Sequence, residues 1–262
     1  MKTLILAMIL FLGVQAEGKG EELKVVTTEF PPYQILDGDE VRGISTEIVK
    51  GVLEIAGIKA RFYGYPWARA YRIAQKEPNV LIYSLARTAE REKLFKWVGT
   101  IVPYNVYFWK LRDRHDIKAN TIEEAKRYNT GGTIDDIKSI ELIKLGFVSG
   151  KNLELVSSDE ISIRKLFAGR IEIMPYDEMS FLERIKRAGF SFDKVEKMGR
   201  VDSISHELYI GVSLKTSDET VKKLKNALVQ FKKTKRYREL QNEIYRRCLL
   251  YTSPSPRDAQ LS

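Results

Sequence analysis

Between Leu23 and Val212 short apolar runs alternate with capped, amphipathic segments, and this alternation restricts the chain to α/β folds with mainly parallel sheets. Leu23 to Thr28 reads as a first strand, ended by Phe30-Pro31-Pro32-Tyr33. Ser45 can cap a helix to about Ala56 with Gly57 as its stop, and Lys59 to Tyr63 is a second strand. Pro66 opens the next helix at a position where a missing N–H costs nothing. Val80-Leu81-Ile82-Tyr83 is a third strand, and Thr88 caps a short helix beyond it.

A second series follows Tyr104 to Lys110, a strand-like aromatic segment. Thr121-Ile122-Glu123-Glu124 is a capping box, Tyr128 to Thr133 a strand, and Asp135 or Asp136 caps a helix that stops at Gly146. Leu153 to Val156, Ser158 to Ala168 and Ile171 to Met174 repeat the strand–helix–strand cycle. Asp177 to Ala188 is a further helix, Leu208 to Val212 a final strand, and Ser217 caps long C-terminal helices. The pattern makes two α/β units, with crossings near Pro103 to Lys110 and near Arg200 to His206.

Both ends stand apart from this pattern. Met1 to Ala16 has the anatomy of a secretory leader: Lys2, an apolar stretch from Leu4 to Leu12, and Val14-Gln15-Ala16 at a small-x-small cleavage site. The apolar stretch is too short to span a bilayer, so a soluble, periplasmic mature protein is expected. Cys248 is the single cysteine, which excludes disulfides within the chain, and about 230 mature residues must rely on a core. Residues 248–262, with their Ser-Pro repeats, read as a non-native tail resembling adapter read-through; a disordered native tail is the alternative.

The formal charge of +9 is spread along the chain and is densest from Lys222 to Arg247. Val221, Leu224, Leu228 and Phe231 at helical spacing there suggest a solvated amphipathic face rather than a nucleic-acid surface. Only His115 and His206 are present, far apart, so no metal site or other cofactor is expected. Phosphate loops, nucleophile elbows and HExxH motifs do not occur.

The segment Ser84-Leu85-Ala86-Arg87-Thr88-Ala89-Glu90-Arg91 carries the chemistry. An arginine on the first turn of a helix opposes the helix dipole, yet it is placed to fork onto a small carboxylate docked at a strand's carboxyl end. The alternative is that Arg91 pairs with Glu90 or another surface acid.

The chain resembles bacterial extracellular solute-binding family 3, the polar amino-acid binding proteins of ABC transporters, from about Leu23 to Tyr245. The resemblance rests on Glu29-Phe30-Pro31-Pro32-Tyr33 followed by Gly43-Ile44-Ser45-Thr46-Glu47, on Ser84 to Arg91, on Gly169-Arg170-Ile171-Glu172 followed by Asp177, and on Glu207-Leu208-Tyr209-Ile210-Gly211. It implies a two-lobed type II periplasmic-binding fold. Residues 22–103 and 207–247 would form one lobe, residues 104–206 the other, with two hinge crossovers and the ligand between them.

The resemblance also assigns residues. Arg91 matches the carboxylate-binding arginine, Ser84 a contact beside it, and Asp177 the acid that receives an α-ammonium. Tyr33 and Trp67 match wall positions; Trp67 can equally be core, and Asp177 an ordinary helix cap. Thr88, Asp136 and Arg69 complete the candidate set, although Arg69 and Arg87 also suit a solvated surface. Two acids at Asp135 and Asp136 would repel a ligand carboxylate, so either they cap the helix and point away or the ligand carries an extra cation.

The function so implied is capture of a small carboxylate-bearing solute, an amino acid or related compound, by a monomer that serves an inner-membrane ABC permease. The alternatives are a periplasmic enzyme on the same fold, similar to cyclohexadienyl dehydratases, and the ligand-sensing module of a separate receptor.

Overall fold

A computed structural model of the chain describes residues 22–134 and 136–252; the leader, Asp135 and the last ten residues of the tail lie outside them. Twelve strands occur among these residues. They are β1 (Leu23–Thr27), β2 (Ile35–Asp37), β3 (Glu40–Arg42), β4 (Ala60–Gly64), β5 (Val80–Ala86), β6 (Phe95–Tyr104), β7 (Val106–Leu111), β8 (Thr130–Thr133), β9 (Leu153–Val156), β10 (Ile173–Asp177), β11 (Val195–Arg200) and β12 (His206–Ser213). The helices are α1 (Ile44–Ala56), α2 (Trp67–Lys76), α3 (Ile122–Ala125), α4 (Ile137–Lys144), α5 (Asp159–Phe167), α6 (Glu178–Arg187), α7 (Asp218–Phe231) and α8 (Lys235–Thr252).

Two five-stranded sheets carry the fold, in the orders β4-β1-β5-β12-β6 and β11-β7-β10-β8-β9. In each sheet four strands run one way and one is reversed: β12 lies antiparallel to β5 and β6, and β7 antiparallel to β10 and β11. The chain passes between the sheets twice, through Asn105 and through residues 201–205. The two passages hold each other, since Val201 N–H donates to the Val106 carbonyl at 2.8 Å and Val106 N–H to Ser205 Oγ at 2.9 Å. The arrangement is a type II periplasmic-binding fold.

Local chemistry fixes the elements that frame the gap between the sheets. Asp136, Ser158, Asp177 and Ser217 each cap a helix by accepting a backbone N–H from its first turn. Gly57 ends α1 in the left-handed conformation at φ 64°, which only glycine adopts without steric cost. The Thr121 capping box forms, with Glu124 reaching back to the cap N–H. Val25 and Val26 of β1, Val80, Leu81 and Ile82 of β5, and Ile210 and Val212 of β12 are fully buried, so short apolar runs mark these strands.

Three expectations are corrected. Ser45 does not cap α1: it lies inside the helix, and the cap position is Gly43, with no side-chain hydrogen bond. The segment after Thr88 is a succession of turns, in which Arg91 N–H donates to the Thr88 carbonyl, and Thr88 caps no helix. Arg87 grips Glu92 through two hydrogen bonds of 2.8 and 2.6 Å and so closes the segment on itself before a helical ladder can start. The strand β6 has no counterpart in the sequence reading, because Phe95-Lys96-Trp97-Val98-Gly99-Thr100 shows neither alternation nor a continuous apolar run. At the far end α8 continues past Arg247 to Thr252, into the segment read as tail.

Candidate functional site

A cavity of about 260 Å³ opens between the two sheets. From the first sheet it is lined by Glu29, Phe30, Gln34, Trp67, Ser84 and Arg91, and from the second by Asp136, Lys138, Asp159, Tyr176 and Arg184.

Arg91 reaches the cavity because the turn after β5 folds it back. Its Nη1 donates to the Ala86 carbonyl at 3.2 Å, and its guanidinium stands 5.6 Å from the Trp67 ring centroid and 5.2 Å from that of Tyr71. Trp67 on the first turn of α2 thus braces the cation from one side. Among the described residues Arg91 has no carboxylate partner: Glu90 pairs with Lys144, and Glu92 with Arg87.

Ser84 reaches it through a backbone irregularity. Its φ is 51°, and the pairing of β5 with β12 slips there, two residues of β5 facing one of β12 between Tyr209 and Gly211. Such a bulge re-aims a side chain. Ser84 Oγ is buried without a hydrogen-bond partner, as are Gln34 Oε1 and Arg184 Nε in the same cavity. An orphaned buried polar atom costs about 1–3 kcal/mol, which a bound polar solute would relieve.

The second sheet contributes a charged floor. Asp136 accepts from the Lys138 N–H at 2.7 Å and from Lys138 Nζ at 2.8 Å, so the helix cap is also an ion pair. Lys138 is 7% exposed, and its ammonium lies 4.7 Å from the Tyr176 ring centroid. Burial pulls its pKa down, but Asp136 with Asp159 outweighs that and holds it well above the ordinary lysine value. Asp159 accepts from Thr133 Oγ1 at 2.7 Å and from the Tyr176 hydroxyl, with Arg184 Nε at 3.9 Å. Burial raises the Asp159 pKa, yet Lys138 and Arg184 bring it below the usual carboxylate range.

The structure does not bring all the candidate residues together. Asp177 is 2% exposed and absent from the cavity lining. Its carboxylate accepts from Tyr33, from Asn105 N–H at 3.2 Å and from Ser180 N–H at 3.1 Å. Burial pushes its pKa up to about 7. Tyr33 is buried beside it, behind Phe30, whose ring lies 5.0 Å from it and lines the cavity instead. Arg69 is exposed and stacked over Tyr65, and Thr88 lies off the lining. Arg91, Ser84, Trp67 and Asp136 do share the cavity.

Lys138, Asp159, Tyr176, Arg184, Gln34 and Phe30 were missed as cavity residues. The signal for Asp159 was available, since an acid directly after the capping Ser158 sits at the same carboxyl end of the sheet as Asp136. Arg184 lies inside an ordinary helical pattern and gives no such sign.

Comparison with known proteins places the arrangement. A profile described as bacterial extracellular solute-binding proteins, family 3, matches residues 23–246. No curated protein matches the sequence. Among solved structures, an ancestral arginine-binding protein bound to arginine superposes with a TM-score of 0.70 at 20% identity, covering 85% of this chain and 97% of that one. A histidine kinase sensor domain with similarity to periplasmic binding proteins gives 0.71 at 16% identity, covering 85% and 95%. The arginine-, lysine-, histidine-binding protein ArtJ from Geobacillus stearothermophilus gives 0.68 at 15% identity, covering 85% and 94%.

Proposed function

The chain belongs to the bacterial extracellular solute-binding proteins, family 3, and from that premise we propose that it captures a small carboxylate-bearing solute outside the cytoplasm and hands it to the permease of an ABC importer. The observation that carries this reading is Arg91: a guanidinium braced by two rings at the edge of a polar cavity, with no acid of its own among the described residues. A planar fork of this kind suits a carboxylate better than any other small anion-bearing group except phosphate.

Capture follows from differential contact. Arg91, Ser84 and Gln34 belong to the first lobe, Lys138, Asp159 and Arg184 to the second, and a solute that touches both sets favours the closed arrangement. Binding rather than turnover is supported by the acids of the cavity, which are held in ion pairs instead of standing free for proton transfer. The similarity to a kinase sensor domain supports a second reading, presentation of the closed form to a separate receptor.

A thermal-shift screen of small carboxylates on the mature chain tests the proposal. A ligand at about 100 times its Kd stabilises by roughly 2.7 kcal/mol, a clear melting shift that Arg91→Ala should cut to less than half. An equal shift in wild type and variant refutes the reading, and chemical conversion of the ligand during incubation refutes the non-enzymatic part of it.

A further inference from the structure

We infer that the cleft takes a carboxylate whose other polar groups are uncharged, such as a 2-hydroxy or 2-oxo acid, and not a zwitterionic α-amino acid. The inference rests on the carboxylate reading above and sharpens it. Among the described residues six charged side chains line the cavity: Arg91, Lys138 and Arg184 against Glu29, Asp136 and Asp159. Every acid among them is already committed. Asp136 is held by Lys138, and Asp159 by Thr133, Tyr176 and Arg184. Glu29 accepts from Leu36 N–H at 2.7 Å and from Arg187 Nη1 at 2.7 Å.

The acid that would receive an ammonium, Asp177, has both oxygens turned to Tyr33, Asn105 and Ser180 behind the cavity wall. Paired off in this way, the described charges leave one cation, Arg91, and three buried atoms without a hydrogen-bond partner: Ser84 Oγ, Gln34 Oε1 and Arg184 Nε, the last 3.9 Å from Asp159. One carboxylate answers Arg91, and hydroxyl, oxo or amide groups answer the other three. An ammonium brought into this space would be desolvated without a free counter-ion among the described residues, which is strongly unfavourable. Asp136 at the start of α4 needs no cation from the ligand, because Lys138 already supplies it.

The test uses matched sets that differ only at the 2-position. Alanine, lactate and pyruvate form one set; leucine with its 2-hydroxy and 2-oxo acids, and phenylalanine with phenyllactate and phenylpyruvate, form two more. Each is titrated calorimetrically into the full mature chain and into Arg91→Ala. The expected result is a hydroxy or oxo acid that binds at least tenfold more tightly than its amino acid, with binding weakened about 30-fold or more in Arg91→Ala. An amino acid that binds as tightly as its analogues or better, and does so through Arg91, overturns this inference and leaves the carboxylate reading standing. Binding as tight in Arg91→Ala as in the wild type, or no binding by any member, overturns both.

Discussion

The Tyr33 hydroxyl lies 3.0 Å from Asp177 Oδ2 and 3.2 Å from Oδ1, tying a turn beyond β1 of the first sheet to the helix cap at the carboxyl end of β10, the middle strand of the second. Asn105, the single residue of the first passage between the sheets, donates its N–H to the same carboxylate. Asp177 therefore sits where both sheets and one crossover meet.

The pKa of Asp177 is raised to about 7 by burial, against which its hydrogen bonds act only in part. A carboxyl with a raised folded-state pKa makes the folded chain bind more protons than the unfolded one. Its contribution to stability must then fall as pH rises from about 4 to about 7 and stay level above that. Asp177→Asn keeps the cap and should remove this trend. Melting points of wild type and variant, measured from pH 4.5 to 8.5, should diverge in the variant's favour as pH rises; parallel curves would show that the group is not perturbed.

Arg91→Ala should raise the Kd of a bound carboxylate by about 30-fold or more, the equivalent of roughly 2 kcal/mol for a charge-assisted hydrogen bond. Arg91→Lys should recover only part of it, because an ammonium cannot fork onto two oxygens. Calorimetric titration decides between them, and equal affinity of the lysine variant would remove the bidentate geometry from the account.

Lys138→Met should destabilise the fold by about 2–4 kcal/mol, somewhat below the 3–5 kcal/mol of a fully buried pair, because the Asp136 side chain stays 24% exposed. Adding Asp136→Asn should restore much of the loss by taking away the charge left behind. Urea denaturation of the single and double variants measures this, and additive losses would contradict it.

Gly51→Ala should also destabilise. The site lies within α1, and a β-carbon there would overlap the ring of Phe231, which α7 holds against it at 2% exposure. Overpacking of this kind costs about 1–3 kcal/mol, more than alanine returns in helix propensity, and should lower the melting point by roughly 2–8 °C. Adding Phe231→Leu should reverse part of the change.

Much of the frame was legible in local chemistry. Ser158 and Ser217 announce their helices as capping residues, Gly57 ends α1, and the apolar runs at Val80 and Leu208 mark strands buried on both faces. Asp177 was legible only as two options, cap or ammonium acceptor, because the deciding partners are Tyr33 and Asn105, 144 and 72 residues away. The orphan at Arg184 Nε could not be read at all: nothing local distinguishes that arginine from Arg187 one turn on, which points to Glu29. What the sequence leaves open are relationships between distant segments, and the cleft is made of those.

The placement of β12 bears on how the molecule is made. The first sheet has β5 and β6 on either side of a strand that arrives roughly a hundred residues after β6 ends. As the polypeptide emerges, its opening two fifths carry three strands of a layer and a fourth with a gap between them, and closing a loop that long is slow. A chain cut short before His206 would keep those two raw edges open to any passing strand, so assembly of the first half must wait for the last quarter to arrive.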